Sequence, residues 1–322
     1  MRYVEVGGVR VSVIGLGTWQ FGSREWGYGS AYADHDAFDI VARALDLGIN
    51  LIDTAEIYAF GRSERIVGQA LGDRRDEAFI ATKIFPVVPI PPVMEQRARG
   101  SARRLNVDHI DLYQLHWPNP VVSLRVTMAG MRQLRRSGLV RHVGVSNFPL
   151  VRWRWAESEL GAPVLSNQVE YSLVARQPER ELLEFARGND RLIIAYSPLG
   201  QGFLSANYSP EHRPRGMRSV SSLFLPENLE QGAPLLEALR DVAKAHDATP
   251  AQVALAWVIR RPNVVAIPGA SSVAQLESNV AAADLELTDE EDARLTAASD
   301  AFDPVSGPAS VPSLVRSLLR LS

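Results

Sequence analysis

Short apolar runs recur along the chain, and within most of them successive positions, rather than alternate ones, are apolar. Eight of these runs are rich in β-branched residues, a pattern that predicts strands buried on both faces, as in a parallel sheet. The predicted strands are residues 11–17, 49–53, 78–83, 109–116, 139–147, 164–170, 192–198 and 264–269.

Between these runs the apolar positions return every three to four residues, which predicts amphipathic helices. The predicted helices are residues 38–47, 65–71, 92–105, 126–136, 150–160, 180–186 and 252–259. Capping boxes, in which a Ser or Thr is followed three positions later by Gln or Glu, also mark helix starts. They begin at Thr249, Ser272 and Thr288.

The strand and helix patterns alternate, so we expect a (β/α)8 TIM barrel. The rival architecture is an open doubly wound sheet, which usually has a G-x-G-x-x-G turn after its first strand. Here Gly15 and Gly17 are followed by Gln20 at the third glycine position, and the next residues read as a loop. The barrel is therefore favoured over the open sheet.

Three further segments complete the predicted domain, which spans residues 1–322. Residues 1–13 read as a β-hairpin with a Gly7-Gly8 turn that could plug the bottom of the barrel. Residues 200–232 show no period and read as a long loop, and such loops are usually functional or mobile. Residues 302–322 form a tail with a short amphipathic end, which we expect to pack over the barrel.

Composition narrows the class of protein. Hydrophobic residues make up 46% of the 322 positions and charged residues 22%, as in ordinary globular proteins. The absence of cysteine excludes disulfides, zinc thiolate sites and thiol nucleophiles. A net charge of −3 without a basic run argues against nucleic acid and anionic membranes as partners. No signal-peptide or membrane-span pattern is found, so we expect a cytoplasmic protein. We expect it to be a monomer or a small homo-oligomer.

Ionisable residues lie at the ends of consecutive predicted strands. Asp53 ends the second strand, with Tyr58 five positions later, and Lys83 and His116 end the next two. In a barrel the carboxyl ends of all strands meet on one face. An acid, a phenol, an amine and an imidazole on that face predict a proton-transfer site, and therefore an enzyme.

The motif D-T-A-x-x-Y-x-x-G-x-S-E, from Asp53 to Glu64, resembles the signature of the aldo-keto reductase superfamily. So do six shorter motifs in the same order: Thr82-Lys83, Leu115-His116-Trp117-Pro118, Gly144-Val145-Ser146-Asn147, Asn167-Gln168, Tyr196-Ser197-Pro198-Leu199 and Ile267-Pro268-Gly269-Ala270. The resemblance runs from about Gly15 to Asn279. It implies a barrel of the bacterial branch, with a long loop after strand seven, that binds NADPH and reduces carbonyls.

The resemblance also implies roles for the four catalytic candidates. Tyr58 would be the general acid, and Lys83 would lower its pKa, since a free phenol titrates near ~10. Asp53 would pair with Lys83 and keep it charged. His116 would be neutral and donate a hydrogen bond to the substrate oxygen.

Cofactor residues carry over in the same way. Tyr196 would stack on the nicotinamide, and its carboxamide would be oriented by Ser146, Asn147 and Gln168. The pyrophosphate would be lined by Ser197, Leu199, Gln201 and Gly202, and the helix that begins at Ser271 and Ser272 would meet a phosphate. The full set is Gly17, Thr18, Trp19, Asp53, Ser146, Asn147, Gln168, Tyr196, Ser197, Pro198, Leu199, Gln201, Gly202, Ile267, Gly269, Ala270, Ser271, Ser272, Gln275 and Asn279.

One departure from the family pattern concerns the 2′-phosphate of NADPH. Many members have an arginine where this chain has Ser271, and Gln275 stands where another arginine is common. A charge-assisted contact is therefore missing, which leaves NADH possible beside NADPH. Arg213, Arg215 or Arg218 of the long loop could replace it.

The substrate is expected to be a small carbonyl compound. An aromatic pocket mouth favours flat or apolar bodies, although Arg24 and Glu25 keep sugars and keto acids open. The expected pocket residues are Trp19, Trp26, Tyr58, Phe85, His116 and Trp117.

Two alternative functions use the same residues. The first is a cofactor-binding sensor or regulatory subunit with little turnover. The presence of all four catalytic candidates (Asp53, Tyr58, Lys83 and His116, the tetrad) argues against it. The second is a Schiff-base lyase using Lys83, which is weaker because an amine beside Asp53 should stay protonated. No metal site is expected, since His116 has no second ligand at a suitable spacing.

Overall fold

The computed structural model describes residues 1–24, 27–29, 33–214 and 216–307. An antiparallel hairpin comes first, formed by β1 (Tyr3–Val6) and β2 (Val9–Ser12). Eight parallel strands follow: β3 (Leu16–Gly17), β4 (Leu51–Asp53), β5 (Phe79–Ile84), β6 (Ile110–Leu115), β7 (Val140–Ser146), β8 (Ser166–Glu170), β9 (Leu192–Tyr196) and β10 (Val264–Ala266).

Each of these eight strands pairs with its neighbour in the sequence, and the two ends of the sheet also meet. Parallel bridges join Ile14 to Ala266 and Gly17 to Gly269. A side chain at Gly17 would place its Cβ atom 2.6 Å from the carbonyl oxygen of Ile267, so the seam requires glycine at that position. The predicted barrel is confirmed.

The helices surround the sheet. They are α1 (Asp34–Asp46), α2 (Arg62–Leu71), α3 (Pro91–Leu105), α4 (Leu124–Arg136), α5 (Leu150–Leu160), α6 (Leu182–Gly188), α7 (Pro226–Gln231), α8 (Ala233–Ala245), α9 (Pro250–Ile259), α10 (Val273–Ala281) and α11 (Asp289–Asp300). Most alternate with the strands, and each buries an apolar face.

Two of the three predicted capping boxes are reciprocal. The side chains of Thr249 and Thr288 each accept a bond from the backbone N–H three positions on, and the Gln or Glu side chain there accepts one from the threonine's own backbone N–H. At α10 the prediction is wrong in part. Ser272 accepts from the N–H of Gln275, but the Gln275 side chain bonds to Ser271 instead.

Two further predictions need correction. The first predicted strand, 11–17, is divided: its beginning belongs to the hairpin and its end to the barrel, with a bend between them. The segment 200–232 is not without regular structure, since it contains 3-10 turns at Gly200–Ser205, Gly216–Val220 and Ser222–Phe224, and then α7. It does follow barrel strand seven (β9), as the resemblance implied.

The hairpin covers the amino-terminal end of the barrel. Val6 and Val11 are buried in one cluster with Leu51, Leu165 and Leu192, which lie at or just before the starts of their strands. Its two-residue turn has positive φ at both glycines, 57° and 79°, as a tight hairpin requires. The polar site is therefore left to the opposite, carboxyl-terminal end.

The beginning of the tail packs against the long loop. The ring of Phe302 stacks on that of Phe203, with centroids 5.4 Å apart, and Val305 exchanges backbone hydrogen bonds with the Asn228 side chain. The predicted amphipathic end lies outside the described residues. Among those described, no helix has the length and apolar character needed to span a membrane.

Candidate active site

Asp53 and Lys83 form a buried ion pair at the ends of β4 and β5. The Lys83 ammonium lies 2.6 Å from Oδ1 of Asp53, and the two side chains are 0% and 3% exposed. Burial disfavours the charge on Lys83, but Asp53 and Tyr58 together outweigh it and raise its pKa. The amine therefore stays protonated at neutral pH.

All three N–H groups of the ammonium have an acceptor. Besides Asp53, Nζ donates to the carbonyl oxygen of Thr54 at 2.8 Å and to the phenol oxygen of Tyr58 at 3.2 Å. An ammonium has three donors and no acceptor, so this set matches its charged form. The arrangement suits a fixed cation better than a nucleophile.

Tyr58 lies in the loop after β4, where the chain turns sharply into α2. The turn is made by Ala59 and Phe60, both in the left-handed region with φ of 45° and 54°. Burial raises the pKa of the Tyr58 phenol, and Lys83 opposes that rise without reversing it. The expectation of a net lowered pKa is therefore wrong for the resting site, because desolvation of the phenolate exceeds the attraction of the ammonium. The phenol remains protonated.

His116 follows β6 and lies beside the phenol. Its ring is 5.9 Å from that of Tyr58 and 6.0 Å from that of Phe85, both edge-on. Burial, helped by the nearby Lys83 charge, lowers the pKa of His116 to about 3. The imidazole is neutral at physiological pH, as expected, and has one N–H to donate.

Hydroxyl groups below the tetrad hold the loop that carries Tyr58. Ser63 at the start of α2 lies 2.8 Å from the Thr18 hydroxyl and 3.0 Å from that of Thr54, and it donates to the Thr18 carbonyl. Next to it, the fully buried Glu64 accepts a bond from Thr82 and pairs with Arg104. The Ser-Glu pair of the sequence motif thus anchors α2 against β3, β4 and β5, a role that the sequence did not assign.

The predicted carboxamide residues come together on β7 and β8, near the end of β9. Ser146 donates to the backbone of Gln168, and Asn147 joins Ser146 to the hydroxyl of Tyr196, whose ring is half-buried. The Gln168 amide donates to Oδ2 of Asp53 at 2.7 Å. The predicted cofactor residues are therefore joined to the four catalytic candidates by the hydrogen bond between Gln168 and Asp53.

The predicted pyrophosphate segment has an unusual backbone. Ser197, Gly200, Gln201 and Gly202 all have positive φ, at 48°, 54°, 57° and 101°. Two of them are not glycines, and such outliers are typical of ligand-binding loops. The side of Gly202 is open, since a Cβ there would meet only Tyr208 and Arg218 at 3.8 and 3.9 Å. This segment can approach a pyrophosphate closely.

The start of α10 lies beside the barrel seam. Gln275 accepts two bonds from Ser271, from its N–H and from its hydroxyl, both at 3.0 Å. Asn279 donates to the carbonyl of Gly269, and Gln20 donates to that of Ala270 at 2.9 Å. Gln20, which the sequence treated only as a substitute for glycine, thus joins the first strand's loop to the predicted phosphate site.

The aromatic mouth is partly in place. Trp19 and Trp117 are 48% and 47% exposed, and the Trp19 ring lies 6.5 Å from that of Tyr58. Phe85 is half-buried beside His116. Trp26 and Arg215 lie outside the described residues. Of the other two loop arginines, Arg213 is tied to the carbonyl of Phe224, and Arg218 is exposed near Gly202.

Comparison with known proteins agrees with this geometry. The model of the aldo/keto reductase family matches residues 13–300. An uncharacterised oxidoreductase of Mycobacterium tuberculosis is 56% identical over 317 residues, covering 98% of both chains. The chloroplastic pyridoxal reductase of Arabidopsis thaliana is 37% identical, covering 91% of this chain and 84% of the relative.

A solved structure with bound cofactor is also similar. The aldo/keto reductase of Klebsiella pneumoniae in complex with NADP and acetate has a TM-score of 0.75 and 32% identity. The match covers 91% of this chain and 93% of the Klebsiella chain.

Proposed function

The chain belongs to the aldo/keto reductase family and is an NAD(P)H-dependent oxidoreductase, and from this premise we propose that it reduces aldehydes and ketones to alcohols with NADPH. Tyr58 is the proton donor in this proposal. The observation that carries it is the hydrogen bond from the Lys83 ammonium to the phenol oxygen of Tyr58.

That bond sets the direction of the phenol proton. Because the ammonium can only donate, the Tyr58 oxygen is the acceptor, and its own O–H is directed elsewhere. Among the described residues this hydroxyl has no acceptor. It can donate to a carbonyl oxygen bound between Tyr58 and His116.

Proton transfer to that oxygen leaves a phenolate on Tyr58. Lys83 stabilises this anion at hydrogen-bond distance, so the attraction that only moderates the phenol pKa at rest acts fully when charge develops. The Asp53 pair keeps Lys83 in place. His116, neutral, donates its N–H to the same substrate oxygen and polarises the carbonyl.

The residues fit a nicotinamide cofactor. Ser146, Asn147 and Gln168 provide polar groups for a carboxamide, and Tyr196 provides a ring at the same strand ends. The left-handed backbone from Ser197 to Gly202 suits a pyrophosphate. A bound NADPH supplies the hydride that the carbonyl carbon receives.

The preference for NADPH rests on the start of α10 and on the long loop. The N-terminal N–H groups of α10 attract a phosphate. Ser271 and Gln275 offer hydrogen bonds but no charge. Of the two long-loop arginines that the structure describes, Arg218, which is exposed near Gly202, is the one we assign to supply the positive charge.

The substrates proposed are aldehydes and ketones with a flat or apolar body. The ring of Trp19 lies beside Tyr58 and that of Phe85 beside His116, so aromatic rings border the approach to both residues. Trp117, next to His116 in the chain, is about half exposed. Pyridoxal is a suitable second test compound, because one relative is named as a pyridoxal reductase.

The test is a titration of the purified protein with NADPH and NADH by fluorescence, followed by cofactor absorbance after addition of 4-nitrobenzaldehyde or pyridoxal. Turnover with NADPH supports the proposal. Tight cofactor binding without turnover of any aldehyde would favour the sensor hypothesis instead.

A further inference from the structure

We propose that Gln168 is a positioning residue for proton transfer by Tyr58. Its amide holds the Asp53 carboxylate, which in turn fixes Lys83 beside Tyr58 and keeps Lys83 protonated. The significance of this contact for catalysis rests on the proposed function. The contact itself is a property of the protein without cofactor.

The two oxygens of the Asp53 carboxylate have separate partners. Oδ1 receives the Lys83 ammonium at 2.6 Å, and Oδ2 receives the Gln168 amide at 2.7 Å. Both residues flanking Asp53 are buried, Lys83 at 0% and Gln168 at 2% exposure. A buried carboxylate held at both oxygens cannot rotate without losing one bond.

Gln168 reaches Asp53 from the other side of the barrel. It lies on β8, whereas Asp53 and Lys83 lie on the neighbouring strands β4 and β5. The amide therefore spans the interior of the barrel. It fixes the carboxylate in a direction that neither β4 nor β5 can provide.

The orientation of the amide follows from chemistry. An ionised carboxylate only accepts, so the Gln168 nitrogen must face Asp53. The amide oxygen then faces away, and among the described residues it accepts no hydrogen bond. It remains as an acceptor for the N–H groups of a carboxamide, so one side chain can serve the acid and the cofactor together.

The electrostatic consequence has a definite sign. The Gln168 N–H stabilises the charged form of Asp53, and charged Asp53 in turn stabilises charged Lys83. The other groups facing this pair are Tyr58, from the loop after β4, and His116, from the end of β6. Gln114 on β6 also lies near Asp53 but is uncharged. Loss of the Gln168 donor should therefore lower the pKa of Lys83.

The small number of lysines in the chain makes the pKa of Lys83 measurable. Lys83 and Lys244 are the only lysines in the sequence, and Lys244 is exposed on α8. NMR of cofactor-free protein carrying lysine labelled at Cε and Nζ gives two side-chain signals. A Lys244→Arg variant assigns them, and the exposed Lys244 serves as the internal reference signal.

In the wild type we expect Lys83 to stay charged well into the alkaline range, because Asp53 and Tyr58 raise its pKa. In Gln168→Leu we expect the Lys83 midpoint to fall by about one pH unit or more, with Lys244 unchanged. Asn167→Leu is the matched control: this residue is buried on the same strand, next to Gln168, and its amide bonds to the backbone of Phe148 rather than to Asp53. This control variant should leave the titration midpoint of Lys83 unchanged.

Gln168→Glu supplies a second test should the leucine variant fail to fold. Its carboxyl can donate to Asp53 only when protonated, so Lys83 should show the wild-type signal at low pH and a perturbed one once the new carboxyl ionises. Aldehyde reduction should follow the same profile. An unchanged Lys83 titration in folded Gln168→Leu or Gln168→Glu would overturn the proposal. Because the NMR experiment needs no turnover, it can fail or succeed independently of the proposed reductase activity.

Discussion

Lys83 donates a hydrogen bond to the phenol oxygen of Tyr58, with Nζ and Oη 3.2 Å apart. The same ammonium is held by Asp53 and by the carbonyl of Thr54, so all its donors are used. The phenol oxygen is therefore held by a cation, and its own O–H is directed away from Lys83. This contact is the observation that supports the proposed acid role of Tyr58.

The first prediction concerns that proton. Tyr58→Phe removes the donor and keeps the ring, so aldehyde reduction should fall by about 10²–10⁴-fold. NADPH affinity, measured by fluorescence titration, should change little. Tyr3→Phe removes a hydroxyl at the hairpin, where it bonds to Gly48, and should retain activity. Undiminished turnover in Tyr58→Phe would exclude it as the acid.

The second prediction concerns the cost of breaking the buried ion pair. Lys83→Met leaves Asp53 without its cation, and Asp53→Asn leaves Lys83 without its anion. Each should lower the free energy of unfolding by about 3–5 kcal/mol, measured by urea denaturation at pH 7. The double variant should cost less than the sum by about 2 kcal/mol, because neither charge is then left alone. Simple additivity would mean that the pair contributes no coupling.

The position of these residues at the strand ends and the pairing of Asp53 with Lys83 could be predicted from the sequence, but the bond between Gln168 and Asp53 could not. Asp53, Lys83 and His116 each end an apolar run, and a barrel brings all such ends together whatever the details of packing. The bond between Gln168 and Asp53 is different. It joins residues 115 positions apart and depends on which way an amide and a carboxylate rotate in the filled barrel.

Two helices, α10 and α8, were predicted incompletely, each for its own reason. A Ser and a Gln at capping-box spacing marked the start of α10 correctly, but Gln275 bonds to Ser271, which competes as a local donor. Helix α8 was not predicted because it follows the irregular segment directly, with only Gly232 between it and α7. Its apolar face is nevertheless present in the sequence, since Leu235, Leu236, Leu239 and Val242 recur at helical spacing.

The third prediction uses the depressed pKa of His116. In the unfolded chain the imidazole titrates near ~6.5, but in the folded protein only near about 3. Falling pH therefore favours the unfolded chain below ~6.5, and stability is progressively lost down to the folded value. From pH 7 to pH 5 the loss due to this residue is about 2 kcal/mol.

Urea denaturation at the two pH values checks this loss. His116→Asn should show a pH dependence smaller by that amount, whereas His35→Asn, at an exposed position on α1, should behave as the wild type. Equal pH dependence in all three proteins would mean that His116 is not desolvated as described.

The last prediction concerns cofactor choice at α10. Ser271 faces Gln275 at the start of the helix, and neither side chain carries a charge. Ser271→Arg adds a charge-assisted partner for a 2′-phosphate, so the Kd for NADPH should fall about tenfold, the equivalent of ~1.4 kcal/mol, while that for NADH stays within about twofold. Ala281→Arg adds the same charge at the exposed far end of α10 and controls for a general electrostatic effect. If Ser271→Arg tightens both cofactors equally, the helix start does not contact the 2′-phosphate, and Arg218 becomes the residue to replace next.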